Sequence, residues 1–353
     1  MLELPIIEVS GSRRAMGEAL GEGLRDQIAI LVDRRTQAAA DYLVERGLKP
    51  RTLDDLGTDC LHVLRGWDEP GWVEHCAVAR ASGIDAGRLY AMINLTDIRD
   101  LACVPAQHDA EGCTAVLAAA GSTSVDGPLG GQTWDLSSGD VDSIVAVHRR
   151  PDEGPRTWAV TVAGAPTLMG MNEDGLALGT TNIRVAGARV GVGYMSLLHK
   201  AITCADRREA VEAIDAAPRI AAHTYWFVDP RGAIELECDA MSCSRREPLG
   251  QDVLVRTNHC LHEDRIDSEV PLESSLRRLD RAQAFAQSGT PIDVDNLRAL
   301  FCDRSDALCS INRKHSDGEP TATNACVIAD PAARVLHACR GEADCGQWVE
   351  LEF

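Results

Sequence analysis

Glu111-Gly112-Cys113-Thr114-Ala115-Val116 is where the chain changes character. It closes a charge-rich first third with helical spacing and opens a long run of strands with a period of two. A cysteine directly after a glycine, at the first residue of an apolar strand, has two readings. One is an ordinary buried thiol, since free cysteines are among the most buried residues and are then inert. The other is a new N-terminus, released when the Gly112–Cys113 bond breaks, with its own α-amine serving as base for its thiol.

Downstream of that point, residues 113–119 and 130–136 read as a hairpin around Val125-Asp126-Gly127-Pro128. Residues 143–149 pair with 157–163, and 166–171 with 175–182 across Asn172-Glu173-Asp174-Gly175. Two helices follow, over 193–203 and 206–216, the second with Asp206 as N-cap. Strands return at 223–228, 232–238 and 252–257, helices at 272–287 and 293–301, and closing strands at 323–329 and 334–339. Upstream, 3–9 reads as a short strand, followed by a helix carrying Met16, Leu20, Leu24, Ile28 and Leu31 on one side. Further helical patterns cover 34–46, 52–65, 71–82 and 86–102. Gly17, Gly21 and Gly23 have the wrong spacing for a phosphate loop, and close helix packing is the expectation there. Runs of strands, then helices, then strands indicate antiparallel sheets covered by helices rather than βαβ units.

With 353 residues, 45% hydrophobic and 25% charged, the chain has the composition of a soluble globular protein with a substantial core. Its net charge of −19 opposes nucleic-acid binding, which needs a basic surface. No apolar run approaches a membrane span and the first residues lack the form of a signal peptide, so the expected location is cytoplasmic. The 13 cysteines are scattered, with no C-x-x-C pair, and neither a zinc site nor a disulfide framework is expected. Cys238/Cys243 and Cys339/Cys345, the closest pairs, read as small core residues kept reduced in the cytosol. Neither a metal nor a cofactor is expected.

The chain has no G-x-S-x-G elbow, H-E-x-x-H pair or strand-linked G-x-G-x-x-G loop. What remains is a set of polar residues at strand ends: Asp135, Asn172, Asn182, Asn258-His259 and Arg313. Each has an ordinary structural reading, and Asn172 most simply supplies a hairpin turn.

Taken with Cys113, these segments resemble the penicillin acyltransferase family of cysteine N-terminal-nucleophile hydrolases, the acyl-coenzyme A:6-aminopenicillanic acid acyltransferase type. The resemblance runs through GSRRAMGEALG at 11–21, AVARASGID at 77–85, EGCTAV at 111–116, GGQTWDL at 130–136 and GMNEDGLALGTTN at 170–182. It continues through TNH at 257–259, SSLRR at 274–278 and SINRKH at 310–315. It implies an α+β fold, an αββα four-layer sandwich preceded by a mostly helical N-terminal segment. It also implies cleavage at Gly112–Cys113 into a 1–112 chain and a 113–353 chain that stay associated.

In that reading Cys113 is the nucleophile, first for self-cleavage and then for substrate. Asp135 orients the freed amine, whose reference pKa near ~8 leaves much of it neutral. Asn258 donates to the oxyanion, and Arg313 supports the carboxylate network. Asn182, Thr133, Trp134 and His259 are the substrate-binding expectations. Thr133 stands where the family often has asparagine, Cys260 where an aromatic is common and Asn312 where cysteine is frequent. The substrate of the named member is therefore not carried over. The expected activity is amidase action on a small N-acyl amide through a Cys113 thioester. Acyl transfer from a thioester or amide donor to a small amine is the alternative, and non-catalytic binding of a small acylated metabolite is a second.

Overall fold

The computed structural model describes residues 1–49, 51–103, 112–266, 270–306, 309–315 and 321–353. Glu111 of the opening stretch lies outside the described residues. The chain begins with a strand, Ile6–Gly11 (β1), and six helices: Arg13–Gly23 (α1), Arg25–Glu45 (α2), Arg51–Trp67 (α3), Glu69–Ser82 (α4), Ala86–Ile93 (α5) and Leu95–Ala102 (α6). Ser12 caps α1 by accepting from the Ala15 N–H. The sequence suggests continuous helices through Leu24 and over 86–102; the structure breaks the first at Leu24 and the second at Asn94. Asn94 has a reason to interrupt. Its Nδ2 donates to the Tyr90 carbonyl and its Oδ1 accepts from the Met195 N–H, which ties the break to a later helix. Gly17 and Gly21 do serve close packing. A Cβ on either would lie 2.4–2.5 Å from the carbonyl of Glu74 or Val78 on α4, whereas Gly23 faces open space.

From Gly112 the strands are Gly112–Ala118 (β2), Leu129–Ser137 (β3), Ile144–Pro151 (β4), Thr157–Val162 (β5), Met169–Asn172 (β6) and Ala177–Asn182 (β7). Helices Tyr194–Ala201 (α7) and Arg207–Asp215 (α8) follow, with Asp206 capping α8 as its sequence suggests. Then come His223–Asp229 (β8), Gly232–Cys238 (β9), Cys243–Arg246 (β10), Val253–Arg256 (β11), Glu273–Ala286 (α9), Val294–Phe301 (α10), Thr321–Asp330 (β12), Val335–Arg340 (β13) and Val349–Leu351 (β14). One sheet has the order β1-β4-β5-β6-β7-β8-β9-β10, the other β11-β2-β3-β12-β13-β14. All pairings are antiparallel except β1 on β4, so the N-terminal segment supplies an edge strand as well as helices.

Alternation along β2 explains the layering. Cys113, Ala115 and Leu117 join the large core containing the other sheet's Val160, Leu178 and Trp226. Val116 and Ala118 join a second core with Leu279 and Ala282 of α9 and Phe301 of α10. The result is the αββα four-layer sandwich, α+β, preceded by a mostly helical segment. The period-two pattern thus sorts each strand between an inter-sheet face and a helix-covered face.

One expectation is corrected here. Cys238 and Cys243 are joined in a disulfide. They sit directly opposite each other across the β9–β10 pair, with Cα atoms 4.1 Å apart, so the hairpin register brings the thiols together.

Candidate active site

Cys113, at the start of β2, is gripped through its backbone. Its N–H donates to Asn258 Oδ1 at 2.6 Å, and its carbonyl accepts from Arg278 Nη1. Arg278 also donates to Thr114 Oγ1 (3.2 Å) and, through Nη2, to Asn258 Oδ1 (3.0 Å). Asn258 is fixed in turn: its N–H donates to Ser275 Oγ, and its Nδ2 to the Asn182 carbonyl at 3.0 Å. Arg278 reaches this point because it lies on the same face of α9 as the buried Ser275, Leu279 and Ala282. Full burial, with the Arg313 charge beside it, pulls its guanidinium down to about 10.

Asp135 lies opposite Gly112 in the β2–β3 register. Its Oδ1 accepts from Thr323 Oγ1 at 2.7 Å, and its Oδ2 sits 3.5 Å from Arg313 Nε, too far for a hydrogen bond. Burial pushes this carboxyl up to about 6 against the opposing pull of Arg313 and Arg278. Arg313 is anchored by donation from Nη2 to Ser274 Oγ and from its backbone N–H to Thr323 Oγ1. A Cβ at position 112 would meet Asp135 Oδ2 at 2.8 Å and Arg313 Cζ at 3.0 Å. The residue before Cys113 is therefore held to glycine by this carboxylate–guanidinium pair.

A narrow pocket with a cavity volume of about 20 Å³ lies at this end of the sandwich. Cys113, Trp134, Asp135 and Asn182 line it, with Thr96 from the N-terminal segment and His223 from β8. The structure thus brings together Cys113, Asp135, Asn258, Arg313, Asn182 and Trp134. It does not bring Thr133 or His259 to the lining. Thr133 Oγ1 accepts from the Thr114 N–H between the two strands, and His259 Nδ1 lies 2.8 Å from Ser275 Oγ. Burial pulls the His259 imidazole down to about 4. Asn172 is structural: its side chain bridges the β6–β7 turn and the carbonyls of Ile202 and Cys204. Arg278, Ser274 and Thr323 escape the sequence reading. Arg278 alone carries a signal, a charge at a helix position otherwise reserved for core, because a guanidinium is rarely buried without partners.

Among the described residues no group of three or more His, Cys, Asp or Glu side chains could hold a metal, and no helix is long and apolar enough to cross a membrane.

Comparison with known proteins gives one sequence-level result. The model of the family described as "Acyl-coenzyme A:6-aminopenicillanic acid acyl-transferase" matches residues 123–344, a span holding Asp135, Asn182, Asn258, Arg278 and Arg313. No curated protein sequence matches the chain. Among solved structures, the Caenorhabditis elegans N-acylethanolamine-hydrolyzing acid amidase ortholog is 13% identical, with a TM-score of 0.46 over 62% of this chain and 93% of that one. Penicillin V acylase from Agrobacterium tumefaciens is 14% identical, with a TM-score of 0.45 over 68% and 86%. A Cys-to-Ala mutant of the conjugated bile acid hydrolase from Clostridium perfringens is 11% identical, with a TM-score of 0.44 over 68% and 97%. The family model spans well over half of the chain, and the chain is an enzyme that belongs to the acyl-coenzyme A:6-aminopenicillanic acid acyl-transferase family.

Proposed function

We propose that the chain is a self-activating cysteine amidase whose nucleophile is Cys113. The observation that carries this reading is the convergence of Asn258 on the Cys113 N–H, Arg278 on its carbonyl and Asp135 beside Gly112. In the activation step the Cys113 thiol attacks the Gly112 carbonyl carbon. The C–N bond breaks as the C–S bond forms, and the nitrogen takes a proton. Water then hydrolyses the thioester, leaving a Gly112 carboxylate, a free thiol and a free α-amine.

In turnover that amine, oriented by Asp135 and Asn258, accepts the thiol proton as Sγ attacks the substrate amide. The leaving amine departs with the proton, and water releases the acid from the Cys113 thioester. Asn258 has a second Nδ2 hydrogen besides the one given to Asn182, and that hydrogen is the oxyanion donor in this scheme.

The two processed chains, 1–112 and 113–353, stay together. Three features support this: β1 pairs with β4, the Arg35 guanidinium is buried on Asp140, and Asp97 accepts from the Tyr194 N–H. A cytoplasmic location is kept in the proposal, with the Cys238–Cys243 disulfide as the observation against it. Finding that pair reduced in a chain recovered from the cytosol would support the location; finding it oxidised would count against it.

The family's name favours a second reading, in which a small amine rather than water takes the acyl group. Incubation with a chromogenic N-acyl anilide tests both. The expected result is a mass increment of one acyl group on the peptide beginning at Cys113, with water as the main acceptor. An acyl-enzyme that partitions to added amine at millimolar concentration would favour transfer, and no acyl adduct with any of a panel of anilides and thioesters would contradict both.

A further inference from the structure

The pocket beside Cys113 contains a second polar group that the proposed chemistry does not use. His223 is 2% exposed and lines that pocket. Its Nε2 lies 2.6 Å from Asp97 Oδ1, and Asp97 Oδ2 accepts from the Tyr194 N–H at 2.9 Å. The Tyr194 ring stacks on the imidazole, with centroids 4.5 Å apart and 20° between planes. Asp97 and Tyr194 therefore fix the ring in position and orientation. With Nε2 donating to the carboxylate, the neutral ring has its lone pair on Nδ1. That atom is buried and has no hydrogen-bond partner, and the same holds for Thr96 Oγ1 on the same lining. Buried polar atoms of a native protein are almost always partnered by protein or water, so two such atoms on residues lining one pocket mark a place for a hydrogen-bonding group, a water in the free protein or a substrate group when one is bound.

The ring is also close to the chemistry. His223 is the cross-strand partner of Asn182, whose carbonyl holds the Asn258 side chain that grips the Cys113 N–H. Around these polar atoms the lining is apolar, from Trp134, Leu136 and Tyr194.

We propose that His223 is a substrate-binding residue whose Nδ1 accepts a hydrogen bond from a donor group on the substrate, with Asp97 as its positioning residue. The substrate class is then an acyl amide bearing a hydroxyl or similar N–H or O–H donor a few bonds from the reactive carbonyl, rather than a plain hydrocarbon chain. This rests on the reading of Cys113 as an accessible nucleophile. It also makes the N-terminal segment, through Asp97 and Thr96, part of the binding pocket.

The test uses three iodoacetamides of similar size on the native full-length protein: N-propyl, N-(2-hydroxyethyl) and N-(2-methoxyethyl). Each alkylates Cys113 by forming an S–C bond as iodide leaves, and peptide mass mapping gives the rate at that residue alone. The expected result is a rate for the hydroxyethyl reagent at least ~5-fold above both others, with the ratio falling to about one in His223→Phe, which retains a ring for Tyr194 to stack on. Equal rates for the three reagents in the wild type would overturn the His223 assignment while leaving Cys113 accessible, and this outcome does not depend on the variant folding. A hydroxyethyl preference that survives in His223→Phe would also overturn it. If no reagent reaches Cys113 in the native protein but all do after denaturation, the nucleophile reading fails and the His223 proposal falls with it.

Discussion

Two buried carboxylates in this molecule have similar surroundings and opposite behaviour. Glu74, on α4, accepts from Arg149 Nε at 2.8 Å and Arg13 Nη1 at 3.1 Å, and has His199 Nε2 at 3.2 Å. Burial alone would raise its pKa, but His199, Arg149 and Arg13 together hold it well below the usual carboxylate range. Asp135 also has two arginines nearby, yet burial wins and its carboxyl rises to about 6. The difference is hydrogen bonding: both Glu74 oxygens are engaged, whereas Asp135 Oδ2 accepts none. A carboxylate with both oxygens engaged ties the N-terminal helices to β4. An under-satisfied carboxylate beside Gly112 has capacity for one more donor, and the α-amine that the proposed cleavage would release is such a group.

The largest expected effects follow from exchanging the two carboxylates for amides. Asp135→Asn is expected to lower turnover by about 100-fold or more while the fold persists. Glu74→Gln is expected to leave turnover within a few-fold but to cost about 3–5 kcal/mol of stability, because it leaves the buried Arg149 guanidinium without its carboxylate. Initial rates and denaturant titrations of both variants decide this. A Glu74→Gln protein that is stable but inactive would reverse the assignment.

Next in size is Arg278→Lys, expected to cost about 30-fold in turnover, since an ammonium cannot hold both the Cys113 carbonyl and Asn258 Oδ1 in a fork. Activity within about twofold of wild type would remove Arg278 from the site.

A pH effect of comparable size concerns stability. An unfolded aspartate titrates near ~3.9, and folded Asp135 titrates at about 6, so the folded chain holds this proton more tightly. Its contribution is present below ~3.9 and is lost as pH rises through about 6. In the uncut Cys113→Ala background, Asp135→Asn should therefore gain on its parent by on the order of 2 kcal/mol between pH 4 and pH 8. A stability difference that stays flat over that range would contradict the raised pKa. Smallest is Gly112→Ala, expected to slow processing about 10-fold, with precursor half-life as the readout, because the added methyl meets Asp135 and Arg313.

Local pattern made much of this legible. The β2–β3 hairpin, α8 with its Asp206 cap and the helix carrying Arg278 all follow from periodicity and turn residues within about twenty positions. The relation between distant segments was not legible. Cys238 and Cys243 are close in sequence, but only the β9–β10 register makes them partners, and the polar run Cys243–Arg246 gives little sign of being a strand. Asp97 and His223 are 126 residues apart and meet only because the fold brings a side chain of α6 to the first residue of β8. Asn258 was legible as a candidate site residue through the family resemblance. That it would hold the Cys113 N–H through Oδ1 while giving Nδ2 to Asn182 depends on the meeting of two sheets.

The most direct test is the intact mass, under denaturing conditions, of the purified wild type beside Cys113→Ala. The expected result is two wild-type masses, one of them the chain that begins at Cys113, and a single full-length mass for the variant. A single full-length wild-type mass would leave the Cys113 nitrogen locked in a peptide bond, without the α-amine the mechanism needs, and would contradict the account.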